Sequence, residues 1–305
     1  MSIRLGINPL TWTNDDMPKL GAETPLEVCL AEARQAGFAG VELGQKFPRD
    51  AATLAPILAR HDLALASGWY GSRLLERDVD TEIAAAEPHI ALLLALGCTA
   101  MVHAEVTGSV HGARATPLSR RPRLSDAQWA VLAPRLSEMG RRLAARGLAL
   151  AYHHHMGTVI ETAAEIDRLM AETGPEVGLL LDTGHLSFAG GDPAAAARRH
   201  GARVVHVHCK DVRAAVLQDV RARDTSFLEA VLAGVFTVPG DGCVDYPSVL
   251  SPLAARGYAG WLVVEAEQDP AKAHPLTYAR MGHDNVARLA QAAGFTPPPG
   301  APAAA

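Results

Sequence analysis

The chain is poor in cysteine, in charge and in uninterrupted apolar runs. Its four cysteines, Cys29, Cys98, Cys209 and Cys243, are scattered among 305 residues without a C-x-x-C pair. That excludes a disulfide framework and the usual thiolate zinc spacing, and the expected setting is a reducing cytoplasm. No charged n-region and apolar h-region of a secretory signal opens the chain, and no run reaches the roughly 18 apolar residues of a membrane span. A net charge of -5 offers no general attraction to phosphate backbones or anionic lipid, so neither nucleic acid nor membrane is an expected partner. No G-x-G-x-x-G follows the first strand candidate, which argues against a dinucleotide-binding doubly wound sheet.

What is present suits a large buried core: 49% of the residues are hydrophobic and 20% charged. Eight short apolar runs alternate with amphipathic, Ala- and Arg-rich segments: 3–8, 39–44, 63–68, 99–104, 148–153, 177–182, 203–208 and 261–266. Strands that alternate with helices predict βαβ units and a parallel sheet, and eight such units predict an α/β fold of the (β/α)8 TIM barrel type. In "TPLEVCLAEARQAG" Thr24 is the expected N-cap, Pro25 the first helical residue and Gly37 the stop. One catalytic domain is expected over 1–295, and the Pro- and Ala-rich 296–305 is expected to be a disordered tail, because proline removes donors and fixes φ.

Reactive groups of such barrels sit at the C-terminal ends of the strands, where side chains alternate between faces. In "VVHVHCKD" His206 and His208 share a face; in "LVVEAE" Glu265 and Glu267 do. The same count pairs His153 with His155 and His103 with Glu105, while Asp182 ends the sixth run with His185 in the turn after it. Each has a plain alternative: a strand-end histidine that only bonds at the rim, an Asp182 that caps the next helix, a Lys210–Asp211 surface ion pair. A carboxylate such as Glu265 behind Leu262, Val263 and Val264 is harder to dismiss, since its isolated burial costs roughly several kcal/mol unless it is paired or metal-bound.

A divalent cation held by Asp182, His208, Glu265 and one histidine of "HHH" satisfies these groups together. Carboxylate and imidazole donors without thiolate suit manganese, cobalt, zinc or iron. One of His153 and His155 goes to the metal and the other to substrate or proton transfer; His155 is taken as the ligand. His154 points the other way and is expected to be structural.

The strand-end segments "LDTGH", "HVHCKD" and "VVEAEQD" resemble those of the xylose-isomerase-like TIM barrels. "GINPLTWTNDDMPKLG", "GFAGVELGQKFPR", "YHHHMGT" and "HVHCKDV" are similar to the myo-inosose-2 dehydratase family of inositol catabolism, over roughly 3–293. The resemblance implies dehydration of the cyclitol ketone 2-keto-myo-inositol (scyllo-inosose) to 3D-trihydroxycyclohexane-1,2-dione, with manganese or cobalt and with glutathione as cofactors. The superfamily presents a Glu on its fifth strand, where this chain has histidines.

For that reaction the expected catalytic residues are Glu265, Glu105, His153 and Lys210, since an imidazole or a buried Glu titrates near neutrality and an ammonium can stabilise an enolate. Asn8, Trp12, Glu42, Trp69, His185 and His206 are the expected substrate contacts. The loop 107–126, with Arg114, Arg120, Arg121 and Arg123, is a lid or a contact of a homo-oligomer. A metal-dependent isomerase or epimerase of a keto-inositol or ketose is the alternative; an endonuclease-IV-like enzyme is disfavoured by the acidic balance, and a silent sugar-binding barrel is the non-enzymatic rival.

Overall fold

The computed structural model describes residues 3–296. All eight expected runs are strands: β1 (Arg4–Ile7), β2 (Gly40–Leu43), β3 (Ala64–Ser72), β4 (Ala100–Glu105), β5 (Ala149–His153), β6 (Val177–Asp182), β7 (Val204–Cys209) and, after a short pair β8 (Asp211–Val212) and β9 (Phe236–Thr237), β10 (Trp261–Val264). The eight long-range strands close in the order β1-β10-β7-β6-β5-β4-β3-β2, every neighbour parallel. Residues 297–305 of the expected tail lie outside the described residues.

Alternation sorts the side chains. Ala100, Val102, Ala151 and Leu180 meet inside the barrel, with Ala66, Trp261 and Val263 forming a second interior group. Met101, Leu150, Tyr152, Leu179, Leu181, Val207, Leu262 and Val264 pack outward into the main core. Trp261 fits the interior only because its neighbours are small: a Cβ on Gly40 would lie 2.5 Å from its Cη2 and 2.7 Å from the Ala64 carbonyl oxygen.

The helices stop and start on local chemistry. Ser125 with Gln128 and Thr162 with Glu165 form capping boxes ahead of helices Asp126–Ala144 and Ala163–Glu172. Gly37 follows its helix at φ +106°, as expected of a stop. Thr24 does not cap: Pro25 itself holds the cap position in extended backbone and the helix runs Leu26–Gln35, since a residue before proline is kept out of the helical region.

Between β7 and β10 the chain builds a wall over the mouth. β8 and β9 pair antiparallel, and helices Ala214–Ala222 and Phe227–Leu232 bury Val220, Phe227, Val231 and Phe236 with Met156 and Phe188 in a separate apolar cluster. No helix among the described residues is long and apolar enough to cross a membrane.

Candidate metal and active site

The ends of β2, β5, β6, β7 and β10 deliver Glu42, His153, Asp182, His206, His208 and Glu265 to one buried cluster. Nδ1 of His208 stands 2.6 Å from Oε2 of Glu265 and 3.4 Å from Oδ2 of Asp182, two ion-pair contacts rather than aligned hydrogen bonds among the described residues. Nε2 of His153 lies 3.2 Å from the same Asp182 oxygen. On its other side His208 presents Nε2 to Glu42 at 3.2 Å, and His206 does so at 2.9 Å. Asn8 ties the two carboxylates together, donating to Glu42 at 2.8 Å and to Glu265 at 3.2 Å. Once the ring is neutral, a proton on Nε2 shared with Glu42 turns the Nδ1 lone pair to the cluster, the arrangement in which a carboxylate orients an imidazole toward a metal.

The electrostatics suit a cation. Burial alone would push His208 down, but the carboxylates of Glu265 and Glu42 hold it well above the ordinary imidazole range. Burial would raise Glu42 and Asp182, yet His208 and His206 keep the first, and Lys210 with His185 the second, well below the usual carboxylate range. Four buried carboxylates (Glu42, Asp182, Glu265 and Glu267) face one buried ammonium, a balance that only protons or a bound cation can redress. His153, Asp182 and His208 bring ligand atoms within 4.8 Å of one another, as do Asp182, His185 and Glu265. The residues therefore fit a divalent metal.

Asp182 serves twice. Its Oδ1 accepts the backbone N–H of His185 at 2.7 Å, capping helix Thr183–Phe188, while Oδ2 faces the cluster. The backbone N–H of Asp182 donates to Nε2 of His154 at 3.2 Å, so the middle histidine faces outward and braces β6.

A second buried set adjoins the first: His155, His185, Lys210 and Glu267. Lys210 donates to Glu265 at 2.6 Å, Glu267 at 2.8 Å and Nε2 of His185 at 2.9 Å. Burial pushes Glu267 up to about 7 against the pull of Lys210. Trp69, 36% exposed, sets its ring edge-on to His153 at 5.3 Å and His155 at 5.4 Å, at the outer side of both sets.

Several expected residues stand elsewhere than the alternation suggested. β5 ends at His153, and the chain then turns, with the N–H of His155 donating to the Ile160 carbonyl; His153 therefore joins Asp182 and His208 while His155 joins His185. Glu105 and His103 alternate with the interior Val102, so both face the helix layer. Glu105 is taken up by Ser72 at 2.8 Å and by the backbone N–H groups of Leu74 and Thr107 at 2.7 and 3.0 Å. Trp12 is buried and donates to Glu32 at 2.6 Å, away from the cluster. In the loop after β4 the buried Arg121 pairs with Glu161 and Glu165, Arg114 bonds Glu229 of the wall, and His111 packs on His155 at 5.3 Å. Glu267, which the sequence marks only as the face-mate of Glu265, lines the second buried set beside Lys210.

A family model described as xylose isomerase-like TIM barrel matches residues 30–289. The rhizopine catabolism protein MocC of Rhizobium meliloti is 57% identical over 295 residues, covering 97% of this chain and 91% of that one. The inosose dehydratase of Geobacillus thermodenitrificans is 46% identical over 279 residues, covering 91% and 94%. Among solved structures, that of an IolI protein with a bound zinc atom matches with a TM-score of 0.67 over 96% of this chain and 100% of that one, at 15% identity, a likeness of fold.

Proposed function

The chain belongs to the inosose dehydratase family of xylose isomerase-like TIM barrels, dehydratases of inositol-type catabolism, and from that premise we propose that it removes water from 2-keto-myo-inositol at a divalent ion held by His153, Asp182, His208 and Glu265. The observation that carries the proposal is the convergence of buried donors: ligand atoms of His153, Asp182 and His208 lie within 4.8 Å of one another, and Glu265 Oε2 stands 2.6 Å from His208 Nδ1. Donors of oxygen and imidazole nitrogen without thiolate favour manganese or cobalt, with zinc as the third choice. The family resemblance adds glutathione as an accessory thiol, and running the assay with and without it tests that addition.

The substrate is a β-hydroxy ketone. An α C–H bond and the neighbouring C–O bond break, a C=C bond forms, and the proton and hydroxide leave as water. The α-carbon carries a hydroxyl, so the alkene is an enol that ketonises to the 1,2-dione. A divalent ion in this site supplies Lewis acidity toward a ketone oxygen. Lys210 adds a fixed, dry positive charge beside it, suited to an oxygen that gains negative charge. Glu267, raised to about 7, is poised to accept a proton near neutral pH, and we assign it the α-proton. Trp69 offers an apolar face at the outer side of His153 and His155 for the ring's C–H surface.

Metal-loaded protein incubated with 2-keto-myo-inositol is expected to give the dione, seen as a new absorbance and the loss of one water by mass. A new epimer without absorbance change would favour the isomerase reading; no reaction with any of the three metals would refute the proposal. A second substrate, a breakdown product of rhizopine, is supported by the 57% identity to a rhizopine catabolism protein and enters the same assay.

A further inference from the structure

The second buried set has the makings of a metal site of its own. His155, His185 and Glu267 bring ligand atoms within 4.8 Å of one another. His155 donates from Nδ1 to the Met156 carbonyl at 2.8 Å, which leaves its Nε2 a lone pair, 3.9 Å from Oε1 of Glu267. Nε2 of His185 has its lone pair turned to Lys210. Glu265 is shared, with Oε2 toward His208 and Oε1 toward Lys210.

Amid these donors sits the ammonium of Lys210. Its three N–H groups are matched by Glu265, Glu267 and His185 at 2.6, 2.8 and 2.9 Å, with Asp182 at 3.7 Å behind them. The fold makes room for its stem: a Cβ on Gly184 would lie 2.4 Å from Lys210 Cγ. Phe236 covers the ammonium with its ring centroid 4.7 Å away, and Phe227 stacks on His185 at 5.7 Å. Two carboxylates and two imidazoles are thus gathered in a dry pocket around a single positive charge.

We propose that the Lys210 ammonium occupies the place of a second divalent ion, and that His155, His185, Glu265 and Glu267 are a latent metal site that removal of the lysine side chain opens. Two imidazoles and two carboxylates are a donor set for cobalt, manganese or zinc. In the native chain the resident cation is covalently attached, carries one charge instead of two and donates hydrogen bonds, so the protein holds one ion where its donors would admit two.

The test is an ion count. Wild type and Lys210→Ala are purified with cobalt present, equilibrated by dialysis against cobalt, and analysed for metal per chain; Lys210→Met, which refills the space with an apolar stem, is the companion. The expected result is one ion in the wild type, two in Lys210→Ala and one in Lys210→Met. Two ions in the wild type would overturn the proposal, and that arm holds even where Lys210→Ala fails to fold. The inference rests on the first cluster being the metal site: a wild type with no ion refutes that reading and this one together, whereas one ion in both wild type and Lys210→Ala refutes this one alone.

Discussion

His103 offers a test of burial energetics that is independent of the metal. It points from β4 into the helix layer, is fully buried beside Tyr152, and neither ring nitrogen has a hydrogen-bond partner among the described residues. Burial pushes its pKa from 6.5 down to about 3. The folded state keeps the ring neutral while the unfolded state takes up a proton as pH falls through the ordinary value. This contribution to stability is therefore fully present about one unit above pH 6.5 and is lost progressively as pH falls toward 3. Between about pH 7.5 and pH 5 the unfolded chain gains about 1.5 units of protonation advantage, or about 2 kcal/mol at 1.36 kcal/mol per unit. His103→Leu abolishes that term. Urea unfolding of both proteins, followed by tryptophan fluorescence, is expected to show the wild type losing about 2 kcal/mol more than the variant between the two pH values, and the double difference cancels whatever the substitution does to packing. A difference that stays the same within about 0.5 kcal/mol would refute the claim that this ring is held neutral.

Arg121→Ala strips the buried partner from Glu161 and Glu165, which it meets at 3.1 and 2.8 Å; the expected loss is about 3–5 kcal/mol in urea unfolding, and an unchanged midpoint would contradict it. Gly40→Ala drives a methyl group into Trp261 and the Ala64 carbonyl, at a cost of about 1–3 kcal/mol; a neutral result would mean that the barrel interior is looser than described. Asp182→Asn, His208→Ala and Glu265→Gln should each lose both bound metal and turnover, whereas Glu42→Gln, which reaches the proposed ligands through His208 and through Asn8, should weaken metal binding by roughly 10- to 100-fold. Because His208 must shed a proton to bind metal, ion retention should fall as pH is lowered; retention that does not depend on pH would count against imidazole ligation.

The strands were legible because each is a short segment rich in Val, Leu, Ile and Ala, set between amphipathic helical segments. The period-two count joined His206 to His208, both within β7 and both beside Glu42, and Glu265 to Glu267, which follow β10 and both reach Lys210. It failed where the backbone leaves the strand or where the interior face was misjudged. The chain turns after His153, so counting two residues on to His155 crossed from one donor set to the other. On β4 the apolar Val102 holds the inward face, which turns Glu105 to the helices. Trp12 is claimed by Glu32, a partner twenty positions away that no local pattern marks. The β8–β9 pair, two residues in each strand, is too short to leave a periodic trace, and with it went any sign that Phe227 and Phe236 wall off Lys210.

The most direct measurement is an anomalous difference map of a cobalt- or manganese-loaded crystal. The account predicts one peak, bonded to His153, Asp182, His208 and Glu265, with Lys210 still between Glu265 and Glu267. A peak held instead by His155, His185 and Glu267, or no peak near His208, would contradict it.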